Sequence, residues 1–259
     1  MRHCYVVRVF TVGPEGGNAL GVIPDATGLS AADMQAIAAD LGFSETVFME
    51  WPAGSDPELR IFTPAAEMPF AGHPLVGTAW VLNKMGPGSD MVVIQIGEVP
   101  IRIDGDMVWV MPPPIDQPVH PAPMEEARAL GVPAIGAWHV EVPSDYLLTE
   151  VSSEEELLAV APDPGAFTDA THGLYVFHGR SPVRSRFFAP RLGVYEDPAT
   201  GSAAVALCAL LRSQGRAKGS VQILQGLPGA QSDLRLHWDG FNVELGGTVM
   251  KDEVRVLDV

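Results

Sequence analysis

Basic residues are scarce in this chain of 259 residues. Its 16 Lys and Arg stand against 32 Asp and Glu, which gives a formal net charge of −16. A field of that sign repels phosphate backbones and anionic lipid surfaces, so we expect no nucleic-acid partner and no membrane partner. It does not exclude a small anionic substrate, because a local site can override the net charge.

Cysteine is also rare, and long apolar runs are missing. Cys4 and Cys208 each lie in an apolar stretch. Two buried, reduced thiols in a cytoplasmic protein are the expected state, with a disulfide or a catalytic thiol as the alternatives. The longest apolar runs span about nine residues, whereas roughly 20 are needed to cross a bilayer. The N-terminal MRHCYVVRVF alternates as a strand and does not resemble a signal peptide.

No cofactor motif occurs. Neither G-x-x-x-x-G-K-[ST] nor G-x-G-x-x-G follows a predicted strand, and no G-x-S-x-G elbow is present. The seven His and two Cys show no metal-ligand spacing. We therefore expect a protein that works without a cofactor and without a metal.

What the sequence does contain is one pattern stated twice. RIFTP (60–64) and RFFAP (186–190) are each followed by a Gly/Pro-bearing loop and then by an apolar segment, LVGTAWVL (75–82) and AAVALCALL (203–211). The repeats lie about half a chain length apart, which predicts two similar domains. The loops carry different polar residues, namely His73 in the first and Asp197 and Ser202 in the second. This difference predicts an asymmetric active site between the two halves.

Local patterns predict an α+β chain in which each domain is a curved, mostly antiparallel sheet or barrel around a central buried helix. The two apolar segments have no polar face, as is typical of a helix buried on all sides. Ser30, with Asp33 three residues later, predicts a capped helix that ends at Gly42.

The Pro-rich stretch 111–123 is predicted to be a linker that holds no strand. It divides the chain into domains 1–114 and 115–259. Two separate strands are predicted near 241–245 and 248–258, and the sequence leaves open whether the last one returns to the first domain.

Both buried helices begin at a glycine-containing turn. Unpaired N–H groups and the partial positive charge of such a terminus bind carboxylates and phosphates. Gly72, Gly201, Thr200 and Ser202 are therefore candidate substrate-binding residues, and Ser44, next to Glu45, is a further candidate. The alternative is that Thr200 or Ser202 simply caps its helix and that the glycines only shape turns.

Three titratable residues are candidate catalytic groups. His73 lies beside a helix N-terminus, where a neutral imidazole is favoured and can relay protons, although a structural histidine is the alternative. Asp197 precedes a proline, so a turn role is the alternative for it. Glu45 follows Ser44 and opens an apolar strand, where desolvation would raise the pKa of its carboxyl into a range useful for acid–base chemistry. A glutamate at the rim is the alternative there.

Four segments together resemble the PhzF family of phenazine-biosynthesis-like proteins, which belongs to the diaminopimelate-epimerase fold superfamily. They are GGNALGVI (16–23), MQAIAADLGFSETVF (34–48), RIFTPAAEMPFAGHPLVGTA (60–79) and RFFAPRLGVYEDPATGSAA (186–204). The resemblance implies two epimerase-like domains, a homodimer and a cofactor-free isomerase. In such an enzyme a glutamate shuttles a proton within a cyclic carboxylate, and the characterised family reaction isomerises trans-2,3-dihydro-3-hydroxyanthranilate.

The resemblance also implies roles for single residues. The catalytic glutamate falls on Glu45, with His73, Asp197 and Ser202 in support. Backbone amides around Gly72, Gly201 and Ser202 would receive the substrate carboxylate.

Related racemases use two loop cysteines, and the corresponding positions here hold Ala71 and Pro198, so two-thiol proton transfer is not expected. The chain departs from the family in two further places. Ala19 replaces a proline, and LPGAQSD follows Gly226 without the family's arginine.

Two other interpretations stay open. One is a non-catalytic protein that binds a small molecule or a partner on the same scaffold. The other is a one-base epimerase or racemase of an amino-acid-like substrate.

Overall fold

The computed structural model describes residues 1–85, 88–114, 118–142, 144–167 and 173–258. They form two compact units, Met1–Pro113 with Glu244–Val259 and Pro114–Val243. The predicted boundary at residue 115 lies outside the described residues. Within the described ranges, no helix is long and apolar enough to cross a membrane.

Strands outnumber helices along the chain. In order, the elements are β1 (Arg2–Val9), β2 (Asn18–Ile23), α1 (Ala31–Leu41), β3 (Glu45–Glu50), β4 (Glu58–Phe62), β5 (Glu67–Met68), α2 (Gly72–Met85), β6 (Met91–Ile94), β7 (Gly97–Asp104), β8 (Met107–Val110), β9 (Val119–Pro121), α3 (Met124–Ala129), β10 (Ala134–Val142), β11 (Ser144–Val151), α4 (Glu154–Ala159), β12 (Gly173–His178), β13 (Val183–Ala189), β14 (Val194–Asp197), α5 (Gly201–Ser213), β15 (Lys218–Gln225), β16 (Ser232–Asp239) and β17 (Asn242–Leu257).

The sheet of the first unit closes on itself. β1 pairs with β2, β2 runs parallel to β3, and β3 pairs with β4. β4 runs parallel to β6, which leads through β7 and β8 to β17, and β17 returns to β1. These pairings make a closed β-barrel. α2 packs against β1, β2, β3 and β8 of this barrel. Its apolar residues are buried there, among them Leu75, Val76, Ala79 and Val81.

The second unit repeats this order of elements. β10 pairs with β11, β11 runs parallel to β12, β12 pairs with β13, β13 runs parallel to β15, and β15 pairs with β16. β14 lies on β13 as β5 lies on β4. α5 is buried from Gly201 to Leu210. The duplication seen in the sequence therefore extends to strand direction and pairing.

The two repeated arginines make matching contacts. Arg60 donates two hydrogen bonds to the carboxylate of Glu67, at 2.7 and 2.6 Å. Arg186 donates two to Glu196, both at 2.8 Å. Each guanidinium also lies over the ring of the phenylalanine two residues further on. A planar guanidinium can stack on an aromatic ring and form a bidentate hydrogen bond to a carboxylate at the same time. The first pair connects β4 to the short strand β5, which precedes α2, and the second connects β13 to β14, which precedes α5.

The prediction that the Pro-rich stretch holds no strand is wrong. Val119 to Pro121 form β9 and pair with β10 opposite Trp138 to Val140. A proline gives up one hydrogen-bond donor, but its fixed φ is compatible with a short extended strand. Residues 115–117 of the same stretch lie outside the described residues.

The prediction of two separate C-terminal strands is also wrong. β17 runs without interruption through Gly246 and Gly247. It pairs with β8 along its first half and with β1 along its second half. A side chain at Gly246 would collide with the indole of Trp109, so the glycine lets β17 pass close to that ring. The C-terminal strand therefore belongs to the first unit.

Candidate active site

Glu45 is placed by the start of β3, opposite Leu20 of the parallel strand β2. The next four residues of β3 are buried, and the Glu45 side chain is only 18% exposed. This burial raises the pKa of its carboxyl from an ordinary value of 4.5 to about 7, because an apolar environment disfavours the charged form. The hydroxyl of Ser44 acts in the opposite direction and lowers the same pKa.

His73 is the second residue of α2 and lies next to Glu45. Its side chain is 3% exposed, and its Nε2 is 3.4 Å from Oε2 of Glu45. That distance exceeds the usual range of a hydrogen bond, and Oε2 accepts none from the described residues. The structure thus brings the predicted pair Glu45 and His73 together beside the N-terminus of α2, where Gly72 begins the helix.

Asn18 belongs to the same cluster, and the sequence reasoning did not single it out. Ser44 donates a hydrogen bond from Oγ to Oδ1 of Asn18 over 3.0 Å. Asn18 is 3% exposed at the start of β2. A buried amide at the first position of a strand was the available signal. Asn18 holds the hydroxyl of Ser44, which lies next to the Glu45 carboxyl.

In the second unit, Asp197 and Thr200 are joined at the start of α5. Thr200 donates a hydrogen bond from Oγ1 to Oδ2 of Asp197 over 2.6 Å, and each residue is 8% exposed. Thr200 is the N-cap residue of α5, but its side chain makes no capping hydrogen bond. Its hydroxyl instead holds the aspartate, so Thr200 occupies the N-cap position without a capping bond from its side chain.

Gln225 holds the same loop and was not among the predicted site residues. Its side chain is fully buried at the end of β15. Its Nε2 donates to the carbonyl of Asp197 over 2.8 Å and to Oγ1 of Thr200 over 3.0 Å, and its Oε1 accepts from the backbone N–H of Thr200 over 3.3 Å. The amide of Gln225 therefore connects both sides of the loop that carries Asp197.

Ser202, the second residue of α5, contacts Tyr146 of β11. The two hydroxyl oxygens lie 3.0 Å apart, and both side chains are buried. Gly201 begins the helix directly before Ser202. Sequence reasoning named Ser202 and missed Tyr146, which is 56 residues away.

The two thiols are buried and free, as predicted. Burial raises the pKa of Cys4 to about 11 and that of Cys208 to about 12. Both groups therefore stay protonated near neutral pH and lack the thiolate that thiol chemistry requires. Across the described ranges, no cluster of three or more His, Cys, Asp or Glu side chains is arranged to hold a metal ion.

Comparison with known proteins shows what this chain is similar to. The profile of the PhzC-PhzF family, described as phenazine biosynthesis-like protein, matches residues 7–236. Trans-2,3-dihydro-3-hydroxyanthranilate isomerase from Pseudomonas chlororaphis is 34% identical over 242 residues, which cover 88% of this chain and 86% of that protein.

Solved structures show the same fold. A phenazine biosynthesis protein of the PhzF family from Enterococcus faecalis superposes with a TM-score of 0.83 at 26% identity, over 98% of this chain and 97% of that one. A hydroxyproline epimerase from Agrobacterium vitis shares the fold at 13% identity, with a TM-score of 0.68 over 98% of this chain and 91% of that one. The chain therefore belongs to the phenazine biosynthesis-like PhzC-PhzF family and is an enzyme of the isomerase class.

Proposed function

We propose that this isomerase moves a proton within a small cyclic or unsaturated carboxylate similar to trans-2,3-dihydro-3-hydroxyanthranilate, with Glu45 as the general acid and base. The observation that carries the proposal is a buried carboxyl with a pKa of about 7, placed 3.4 Å from His73 at the start of a buried helix. The name of the relative from Pseudomonas chlororaphis supports this substrate class.

The raised pKa suits a group that must both take up and release a proton. Near neutral pH the carboxyl of Glu45 is present in both forms, so it can accept a proton from one carbon of the substrate and return it to another as the double bond shifts. The proton count is unchanged at the end, and no electrons leave the substrate. His73 would orient the carboxyl or a substrate oxygen from the N-terminus of α2.

The residues at the start of α5 would bind an anionic group. Its first-turn N–H groups, including those of Gly201 and Ser202, carry the partial positive charge of a helix N-terminus. Asp197 would then accept a hydrogen bond from an amino or hydroxyl group of the substrate, held in place by Thr200 and Gln225. The N–H of Gly72 offers the same kind of contact at the start of α2.

The test is the variant Glu45→Gln, assayed with trans-2,3-dihydro-3-hydroxyanthranilate by NMR. We expect turnover to fall by at least about 10²-fold, because the amide cannot exchange a proton with carbon. Substrate binding should be retained, and thermal stability should be at least that of the wild type. Glu50→Gln, at the other end of β3, is the matched control and should keep full activity. Wild-type turnover in Glu45→Gln would contradict the assignment.

A solvent-exchange experiment separates the remaining alternatives. In D2O the proposed isomerase incorporates deuterium at a carbon that carried no hydrogen in the substrate. A one-base epimerase would place deuterium at the original carbon with inversion. Binding without any incorporation, over a panel of small carboxylates, would identify a non-catalytic binding protein. The predicted homodimer and cytoplasmic location are separate proposals, and light scattering on the purified protein tests the first.

A further inference from the structure

The duplicated fold gives Glu45 and His73 of the first unit counterparts in the second unit. In the first unit, Leu20 of β2 lies opposite Glu45 at the start of the parallel strand β3. In the second unit, Tyr146 of β11 lies opposite Gly173 at the start of β12. The antiparallel neighbours β4 and β13 begin their pairing at the next residue of each strand, so the two frames agree. Gly173 is therefore the counterpart of Glu45.

The position of Gly173 has no space for a side chain. A Cβ atom there would lie 2.7 Å from Cε2 of Phe187 and 3.0 Å from Cδ1 of Tyr146. The two rings pack edge to face, with centroids 5.4 Å apart and an interplanar angle of 86°. The second unit thus has an aromatic pair where the first unit has a carboxylate side chain.

The helix residues also correspond. α2 begins with Gly72 and His73, and α5 begins with Gly201 and Ser202. In the first unit the second helix residue faces the carboxylate of Glu45. In the second unit the equivalent residue, Ser202, faces the phenol hydroxyl of Tyr146, at 3.0 Å. The hydroxyl of Tyr146 therefore contacts the start of its helix as the carboxylate of Glu45 does in the other unit.

We infer that Tyr146 is a positioning residue of this isomerase, which acts through Ser202 on the binding of the substrate carboxylate. The inference rests on the proposed function. A serine hydroxyl has one proton to donate and can also accept. If the phenol O–H of Tyr146 donates to Oγ of Ser202, the proton of Ser202 is directed away from Tyr146 and can be donated to a bound carboxylate. Without this partner, the Ser202 hydroxyl can rotate among its rotamers.

Tyr146→Phe removes the donor and keeps the ring that packs against Phe187 and Gly173. We expect KM for trans-2,3-dihydro-3-hydroxyanthranilate to rise about three- to tenfold, the effect of one lost hydrogen bond, while kcat changes less than about twofold. The dissociation constant of 3-hydroxyanthranilate should rise by the same factor. This aromatic counterpart retains the carboxylate, and titration calorimetry measures its binding. Tyr175→Phe, which removes another buried phenol hydroxyl of the same unit, should leave both constants unchanged.

A double-mutant cycle shows whether Tyr146 acts through Ser202. We expect Ser202→Ala to weaken binding, and the double variant to be no weaker than Ser202→Ala alone. Additive losses, or a lower melting temperature with unchanged KM and dissociation constant, would overturn the inference and indicate a purely structural tyrosine. If the wild type binds 3-hydroxyanthranilate and the mutant cycle shows this coupling, but the wild type does not turn over the substrate, only the proposed substrate is wrong. If it neither binds nor reacts, both proposals fail.

Discussion

Glu45 should change the stability of the protein with pH, independently of any substrate. Its pKa is about 7 in the folded chain, against an ordinary value of 4.5. Between these values the folded state binds more protons than the unfolded state, so folding becomes less favourable as pH rises through this window. Above pH 7 this effect lowers the free energy of unfolding by up to about 3 kcal/mol, because each unit of pKa shift corresponds to about 1.4 kcal/mol.

Glu45→Gln removes this cost. Relative to the wild type, the free energy of unfolding of the variant should therefore increase between about pH 5 and pH 8, as measured by urea denaturation. Glu67→Gln is the control, because the ion pair with Arg60 lowers the pKa of Glu67 and its carboxyl is ionised throughout this range in both states. A constant difference between Glu45→Gln and the wild type over this range would show that the Glu45 carboxyl titrates normally.

Residues could be identified from sequence where their signal is local. Glu45, His73 and Asp197 each stand next to a glycine-rich or proline-bearing turn or open an apolar strand, and these features can be read from neighbouring letters. Tyr146 gives no such signal, and Gln225 precedes the Gly- and Pro-bearing turn 226–229 without any local sign of what its side chain binds. Their importance comes from hydrogen bonds to residues 56 and 25–28 positions away, which only the pairing of strands creates. No periodicity within β11 or β15 encodes these contacts.

At the scale of single elements, α2 shows packing overruling helix propensity. Gly77 lies within this buried helix, where alanine would be favoured by about 1 kcal/mol on propensity alone. A Cβ at this position, however, would lie 2.5 Å from Cδ2 of Leu20 and 2.8 Å from Cγ2 of Val9. We therefore expect Gly77→Ala to destabilise the protein by about 1–3 kcal/mol, the usual cost of overpacking, as measured by thermal unfolding.

Leu20→Val is the matched background for this variant, because it removes the Cδ2 atom that would collide. The penalty of Gly77→Ala should be smaller in that background than in the wild type, and the two changes should not be additive. If Gly77→Ala instead stabilises the protein, propensity outweighs packing and the close approach of α2 to β1 and β2 can relax at little cost.

Elements with local signals were predicted well, and those that depend on distant partners were not. Ser30 and Asp33 form the predicted capping box, and Gly42 ends α1 in the left-handed conformation. Both apolar segments are buried helices, although each begins two or three residues earlier than predicted. β9 exists because β10 supplies its partner, and β17 is continuous because β8 and β1 pair with its two ends. Pro121 and Gly246 are unfavourable for strands locally, and long-range pairing overrides that preference.

At the scale of the molecule, the first unit depends on its C-terminal strand. β17 pairs with β1 from Val249 to Leu257, and Arg8 of β1 forms an ion pair with Asp252 at 2.9 Å. The same strand pairs with β8 through Leu245 to Thr248. Residues at the two ends of the sequence are therefore joined in one barrel, whereas residues 114–243 form a unit of their own.

Removal of residues 249–259 should accordingly open this barrel. The truncation takes away every partner that β1 has in β17 and leaves β1 as an unprotected edge, with its N–H groups exposed to solvent. We expect hydrogen–deuterium exchange by mass spectrometry to show fast exchange across Arg2–Val9, while β12 and β13 of the second unit stay protected. Removal of only residues 258 and 259, which follow the end of β17, should leave both patterns unchanged. If β1 keeps its protection without residues 249–259, then β2 and α2 alone hold that strand. If β12 loses its protection as well, the two units unfold as one cooperative body.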